Sequence, residues 1–228
     1  MPTPNTAGWV RLGLLLLPLY GILTFIGTFT HQPDPNTDFE AYARYLSTTN
    51  YLVQHLVCSI FGLMLGIFGA IALGIYLANG RSGCTALFAM VTNVAGSALV
   101  LTIFGFSTII SPVIGQLYLE GQRGVVEVNE AIFGSAAFGI LAVPRLLLFT
   151  ASTILFGIAI WRSETLPKWA GILYAPTGFL ISIVGLQIGQ AQTLGTALLI
   201  AATVWISWSV LHQAASASTA AGVQPRVS

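Results

Sequence analysis

FGLMLGIFGAIALGIYLANGRSGCTALFAMVTNVAGSALVLTIFGFSTII, residues 61–110, carries one charged side chain, Arg81, in fifty positions. A helix crosses the hydrocarbon layer, about 30 Å thick, with about 20 apolar residues. The stretch therefore reads as two membrane spans joined by the short turn NGRSG, residues 79–83. Working outward, the same composition recurs in four more runs. The six expected spans cover residues 9–30, 51–78, 85–110, a fourth ending at Trp161, 169–189 and 193–212. The first run is too long for the apolar core of a signal peptide and no small-x-small cleavage pattern follows it, so it reads as an anchor.

The whole chain agrees with this fold class, an all-α polytopic transmembrane bundle. Of its 228 residues 55% are hydrophobic and 7% charged, whereas a soluble domain carries about 25% charged residues. Eight bases and seven acids could not cover a water-soluble surface of this size. The net charge of +1 gives no basic face for nucleic acid. Cys58 and Cys84 lie in or beside apolar runs, supporting neither a disulfide framework nor a zinc site. Residues 1–212 are read as one bundle domain, and residues 213–228, small and polar, as a disordered tail.

Positive charge sets the expected orientation. With the N-terminus in the cytoplasm, Arg11, Arg81, Arg162, Lys168 and Arg226 fall inside, and only Arg44 and Arg123 in outer loops. Asp34, Asp38, Glu40, Glu120, Glu127 and Glu130 then fall outside, with Glu164 alone inside, and all five tryptophans gather near the inner face. Both termini are expected in the cytoplasm. The fourth run, residues 131–161, is too long for one span, and Pro144 suggests a break. A span starting near Ala142 would leave residues 130–141 as a separate outer or re-entrant helix and set Arg145 near the interface, where a guanidinium costs less. One continuous tilted helix, with Arg145 deeper, is the alternative.

Candidate functional residues are few. Gly62, Gly66, Ala70 and Gly74 recur every four residues in span two, and Gly178, Ser182, Gly185 and Gly189 give span five a similar small-residue face. Such faces let helix backbones approach closely, within the bundle or against another membrane subunit. His55 lies about one turn inside span two and His31 at the end of span one, so the two could share a depth. Imidazole nitrogens ligate haem iron or a chlorophyll-type magnesium, which makes haem, a quinone or a pigment candidate cofactors; an interfacial histidine bonded to loop or lipid is the plainer role. Asn93, near mid-membrane, must find hydrogen-bond partners there. Gln54, Asn93, Glu130, Arg145 and Gln187 are compatible with an outward-facing polar pocket containing an Arg–Glu pair. A structural salt bridge at the membrane surface is the alternative.

No HExxH, GxSxG, P-loop or dinucleotide fingerprint occurs, and the single lysine, Lys168, lies in a turn rather than a span. No catalytic residue is expected.

FGIAIWRSETLPKWAGILYAPTGFL, with ALGIYLANGRSG before it, resembles uncharacterised bacterial multi-pass inner-membrane proteins of about six helices. In these a span ends in a charged turn and a Leu-Pro-(Arg/Lys)-Trp stretch opens the next. Here that stretch is Leu166, Pro167, Lys168 and Trp169, followed by Ala170 and Gly171. The resemblance covers residues 51–210 and implies a helical bundle of the bacterial cytoplasmic membrane, with no catalytic residue to carry over. The leading expectation is a non-catalytic accessory subunit or a partner- or lipid-binding bundle, surrounded by membrane lipids and open to a larger complex or homo-oligomer. A cofactor-binding bundle using His55 and a small-solute permease are the alternatives.

Overall fold

A computed structural model of the chain describes residues 4–29 and 32–222, and among these every regular element is helical. Six helices are long and apolar enough to cross a membrane. The first is α1 (Pro4–Gly27). The second span, Thr49–Ala78, is built from α3 (Thr49–Val53), a π-helical stretch (Gln54–Phe61) and α4 (Gly62–Ala78). The third is α5 (Gly83–Leu119) and the fourth α7 (Ala136–Arg162). The fifth joins α8 (Lys168–Tyr174), α9 (Thr177–Ser182) and a single 3-10 turn, Val184–Leu186. The sixth is α10 (Gly189–Gly222). Two shorter helices, α2 (Phe39–Leu46) and α6 (Val125–Phe133), lie between spans.

The spans form a ring in chain order. α1 packs on α4 and on α10, α4 on α5, α5 on α7, and α7 on α8 and α9, which close the circle against α10. One end of the ring carries the turns at 79–82 and 163–167; the other carries α2, α3 and α6. We call these the turn end and the loop end. All five tryptophans belong to the turn end, each of them at least 41% exposed.

Apolar side chains face outward all round, among them Phe68, Val91, Ile109, Ile140 and Leu147, each more than half exposed. An apolar surface of this extent suits a hydrocarbon surrounding. The interior of the turn half is filled by Leu14, Leu17, Leu73, Leu77, Phe156, Ile160, Tyr174 and Ile206. Glycines set the close contacts. A methyl group added at Gly62 would lie 3.2 Å from Leu23, at Gly66 2.9 Å from the Tyr20 ring, and at Gly74 2.7 Å from Met90. Ala70, on the same stripe, is 1% exposed. This stripe meets α1 and α5 of the same chain. On span five, Gly178 sits against Thr153 and Phe149 of α7, and Gly185 against Gln192 of α10. Ser182 is half-buried, and nothing stands within 4 Å of a methyl added at Gly189.

Two expectations are corrected. The fourth span does not break at Pro144: α7 runs unbroken through it, and the separate helix before it is α6, ending at Phe133. Ser135 is the reason, because its hydroxyl accepts the amide of Phe138 at 3.1 Å and caps a helix nine residues before Pro144. Proline inside a membrane helix is tolerated where its surroundings can absorb the lost backbone bond. The third span continues beyond Ile110 to Leu119, passing Pro112, so much of the expected loop at 111–130 is helix. Span five is discontinuous. Pro176 cannot donate, and threonines take up the carbonyls around it: Thr177 Oγ1 donates to Tyr174 O at 2.7 Å, and Thr153 Oγ1 to Ala175 O at 3.3 Å. α10 extends through residues 213–222 of the expected tail, and residues 223–228 lie outside the described residues.

At the loop end, α2 is N-capped by Asp38, whose carboxylate accepts the Ala41 amide at 2.9 Å. It packs Tyr42 and Leu46 with Tyr51 into a small cluster of its own. Burial, and then the neighbouring phenols of Tyr51 and Tyr45, push the Tyr42 hydroxyl up to about 12. An unfolded tyrosine ionises near pH 10, so raising the pH from about 10 to about 12 favours the unfolded form. Stability should therefore fall through that window. In Tyr42→Phe the fall, followed by denaturation at stepped alkaline pH, should be shallower; an identical slope would exclude this source.

Candidate functional site

The core is hollow in its loop half. A cavity of about 470 Å³ lies inside the ring, and each of the six spans contributes to its wall. This is within the size range of small-molecule sites. Polar groups line it toward the loop end: Gln32, Tyr45, Gln54, His55 and Gln192, with Arg145 on α7. Leu63, Val100, Phe104 and Phe149 line it as well.

One wall is the π-helical stretch. Its i→i+5 bonding widens the helix, and such stretches are frequent at functional sites. Gln54, His55, Cys58 and Ser59 all reach the cavity from it. Gln54 is held at both ends of its amide: Tyr45 Oη donates to Oε1 at 2.9 Å, and Nε2 donates to the Gly27 carbonyl at 2.9 Å. One side chain thus ties α2, span two and α1 together at the cavity mouth.

His55 is also oriented. Its Nδ1 lies 3.1 Å from the Tyr51 carbonyl. A carbonyl only accepts, so Nδ1 bears the proton and a neutral ring keeps Nε2 as an acceptor. The ring stacks on Tyr51 with centroids 4.0 Å apart and meets Phe104 edge-on at 5.8 Å.

Arg145 stands nine residues into α7, about 14 Å along the helix from its start. Its Nε is fully buried with no hydrogen-bond partner. The ion pairs among the described residues are Arg44–Glu40, 2.6 Å, and Arg81–Glu164, 2.7 Å, and both are exposed. The expected Arg–Glu pair is therefore absent among the described residues. Glu127 and Glu130 lie exposed on α6. The break in the chain at Gly134–Ser135 separates that helix from α7, so its carboxylates do not follow Arg145 inward.

Of the five residues expected in one polar pocket, Gln54 and Arg145 line the cavity, and His55 joins them. Asn93, Glu130 and Gln187 do not. Gln187 is exposed in the turn after span five, and Gln192, one turn into α10, supplies the amide instead. Asn93 is 5% exposed in the seam between α5 and α7. Its Nδ2 donates to Ser152 Oγ at 3.1 Å, and Ser97 Oγ donates to its Oδ1 at 3.5 Å. A permease path through Asn93, Arg145, Glu130 and Gln187 finds only Arg145 on the cavity wall. His31 lies outside the described residues.

Interhelical hydrogen bonds in membranes are worth about 0.6 kcal/mol on average and rarely above about 1.7. Asn93→Ala should therefore lower stability by about 1 kcal/mol in thermal or denaturant unfolding, while leaving any cavity ligand bound as before. Loss of a ligand would put Asn93 at the site after all.

Tyr20, Thr24, Tyr45, Cys58, Ser59 and Ser182 also line the cavity and were not expected there. A partial signal exists: Tyr20 with Thr24 and His55 with Ser59 are polar pairs at four-residue spacing within apolar runs. The π-helical stretch has none, since QHLVCSIF contains neither glycine nor proline. No protein-family model, no curated protein and no solved structure matches this chain.

Proposed function

We propose that this chain is a non-catalytic binding bundle of the bacterial cytoplasmic membrane that takes a lipid or lipid-like molecule into its loop-end cavity. The observation that carries the proposal is the cavity itself, about 470 Å³, lined by all six spans with both polar and apolar side chains. An amphipathic guest matches that mixed lining. The small-residue stripe of span two meets α1 and α5, which favours lipid binding over a docking role for that face. The distribution of Arg and Lys supports cytoplasmic termini, with the cavity toward the outer leaflet.

The test is mass spectrometry of the protein purified in mild detergent, beside Ser59→Phe, which places a ring in the cavity. About one amphipathic molecule per chain is expected with the wild type, and none with a folded Ser59→Phe protein. Equal retention by both would overturn the proposal.

A second reading rests on His55, whose bonded Nδ1 leaves Nε2 oriented as in many metal-bound imidazoles. A haem or chlorophyll-type group would then give strong bands between about 300 and 800 nm that His55→Ala removes. A featureless spectrum removes these pigments and leaves the lipid reading in place.

A further inference from the structure

We infer that the molecule held in this cavity carries an anionic head, a carboxylate or phosphate, seated on the Arg145 guanidinium. The inference rests on the cavity-ligand reading above and names the chemistry of that ligand.

A guanidinium stays protonated in proteins and offers five donors and no acceptor. In a membrane span such a group faces a partner, a cavity or the interface, because hydrocarbon cannot solvate it. Arg145 faces the cavity. Its Nε is buried and unpartnered, and the guanidinium enters no ion pair among the described residues.

The described carboxylates are engaged or lie elsewhere. Glu40 pairs with Arg44 and Glu164 with Arg81. Asp34 accepts from Asn36, Asp38 caps α2, and Glu120 accepts from Gln116. Glu127 and Glu130 are exposed on α6. No acid lines the cavity, so its wall bears a cation without a counter-charge.

The other polar groups cannot supply one. Gln54 is neutral and bonded through both ends of its amide, and His55 adds no negative charge. The planar fork of a guanidinium matches a carboxylate or phosphate in two parallel hydrogen bonds. Beside it on the same cavity wall, Leu63, Val100, Phe104 and Phe149 suit a hydrocarbon chain. The ligand is thus an anionic amphiphile, whether a free single-chain acid or a lipid phosphate; a small free anion would satisfy the guanidinium alone.

The test is photo-crosslinking of the full chain in neutral-lipid nanodiscs with diazirine-bearing hexadecanoate, hexadecyl phosphate and hexadecanol, mapped to peptides by mass. In the wild type, labelling of cavity residues by an anionic probe should exceed that by the alcohol at least about tenfold, the effect of a charge-assisted bidentate contact. Arg145→Gln should abolish that preference while the alcohol still labels, and Arg145→Lys should keep part of it. Whether hexadecanoate or hexadecyl phosphate labels more strongly separates a fatty-acid source from a phospholipid one. Displacement of either by excess inorganic phosphate or butyrate identifies a small free anion as the occupant of the same guanidinium. Equal wild-type labelling by alcohol and acids would overturn the anionic head but leave the cavity reading standing. Absence of cavity labelling by every probe, in the wild type as in Ser59→Phe, would overturn both. The decisive preference is read in the wild-type chain, so it does not depend on a variant folding.

Discussion

Replacing Arg145 with methionine is expected to make the ligand-free protein more stable, not less. A charged side chain at the centre of a membrane helix costs about 2.5–3.5 kcal/mol on insertion scales. Arg145 is part-way in, about 14 Å along α7, and its Nε is buried without a partner. Methionine has a similar reach, is flexible, and needs no partner in hydrocarbon. A gain of about 1–2 kcal/mol follows, read as a rise in thermal midpoint in mild detergent after delipidation. An added anionic amphiphile should reverse the order, because a ligand at 100 times its Kd stabilises the wild type by about 2.7 kcal/mol and the variant hardly at all. A fall in stability for delipidated Arg145→Met would mean that the guanidinium already has a protein or water partner. An arginine kept at a stability cost is the mark of a site, since packing alone would select against it.

The second large effect is at Gly157. A methyl group there would lie 2.7 Å from the Gly171 carbonyl oxygen and 2.6 Å from the Ala175 methyl, and one at Gly171 would lie 2.6 Å from the Gly157 carbonyl oxygen. α7 and α8 touch backbone to backbone, so no flexible side chain can move aside. Gly157→Leu should cost about 3 kcal/mol or more, at the upper end of overpacking effects, and should lower the yield of folded protein. Gly105→Ala is the matched control. Nothing lies within 4 Å of its added methyl, so only helix propensity changes, and stability should rise by up to about 1 kcal/mol. Comparable losses at both positions would show that glycine flexibility, and not close packing, governs these helices.

The two residues were legible in the sequence to different degrees. Arg145 stands out because a charge in an apolar run is rare, but its surroundings do not follow from that run. Pro144 drew the break to itself, while Ser135 capped the helix nine residues earlier and carried Glu130 onto a separate element. Gly157 carried no flag of its own. It belongs to no four-residue stripe, and its importance comes from facing Gly171 across a seam. Asn93 in mid-span requires partners on composition alone, but Ser152, which supplies one, is 59 residues away in the chain.

Hydropathy and charge determined by themselves that six segments are long and apolar enough to cross a membrane, and roughly where each lies. That much is local, because a segment enters hydrocarbon on its own composition and must bond its own backbone as a helix. Tertiary structure alone decided that the spans close into a ring in chain order, that span two opens into a π-helical stretch at His55, and that the ring is packed at one end and hollow at the other. Lipid and protein interior are alike in polarity, so hydrophobicity does not tell one face of a membrane helix from another. Shape and a few polar bonds do, and those exist only once the helices have met.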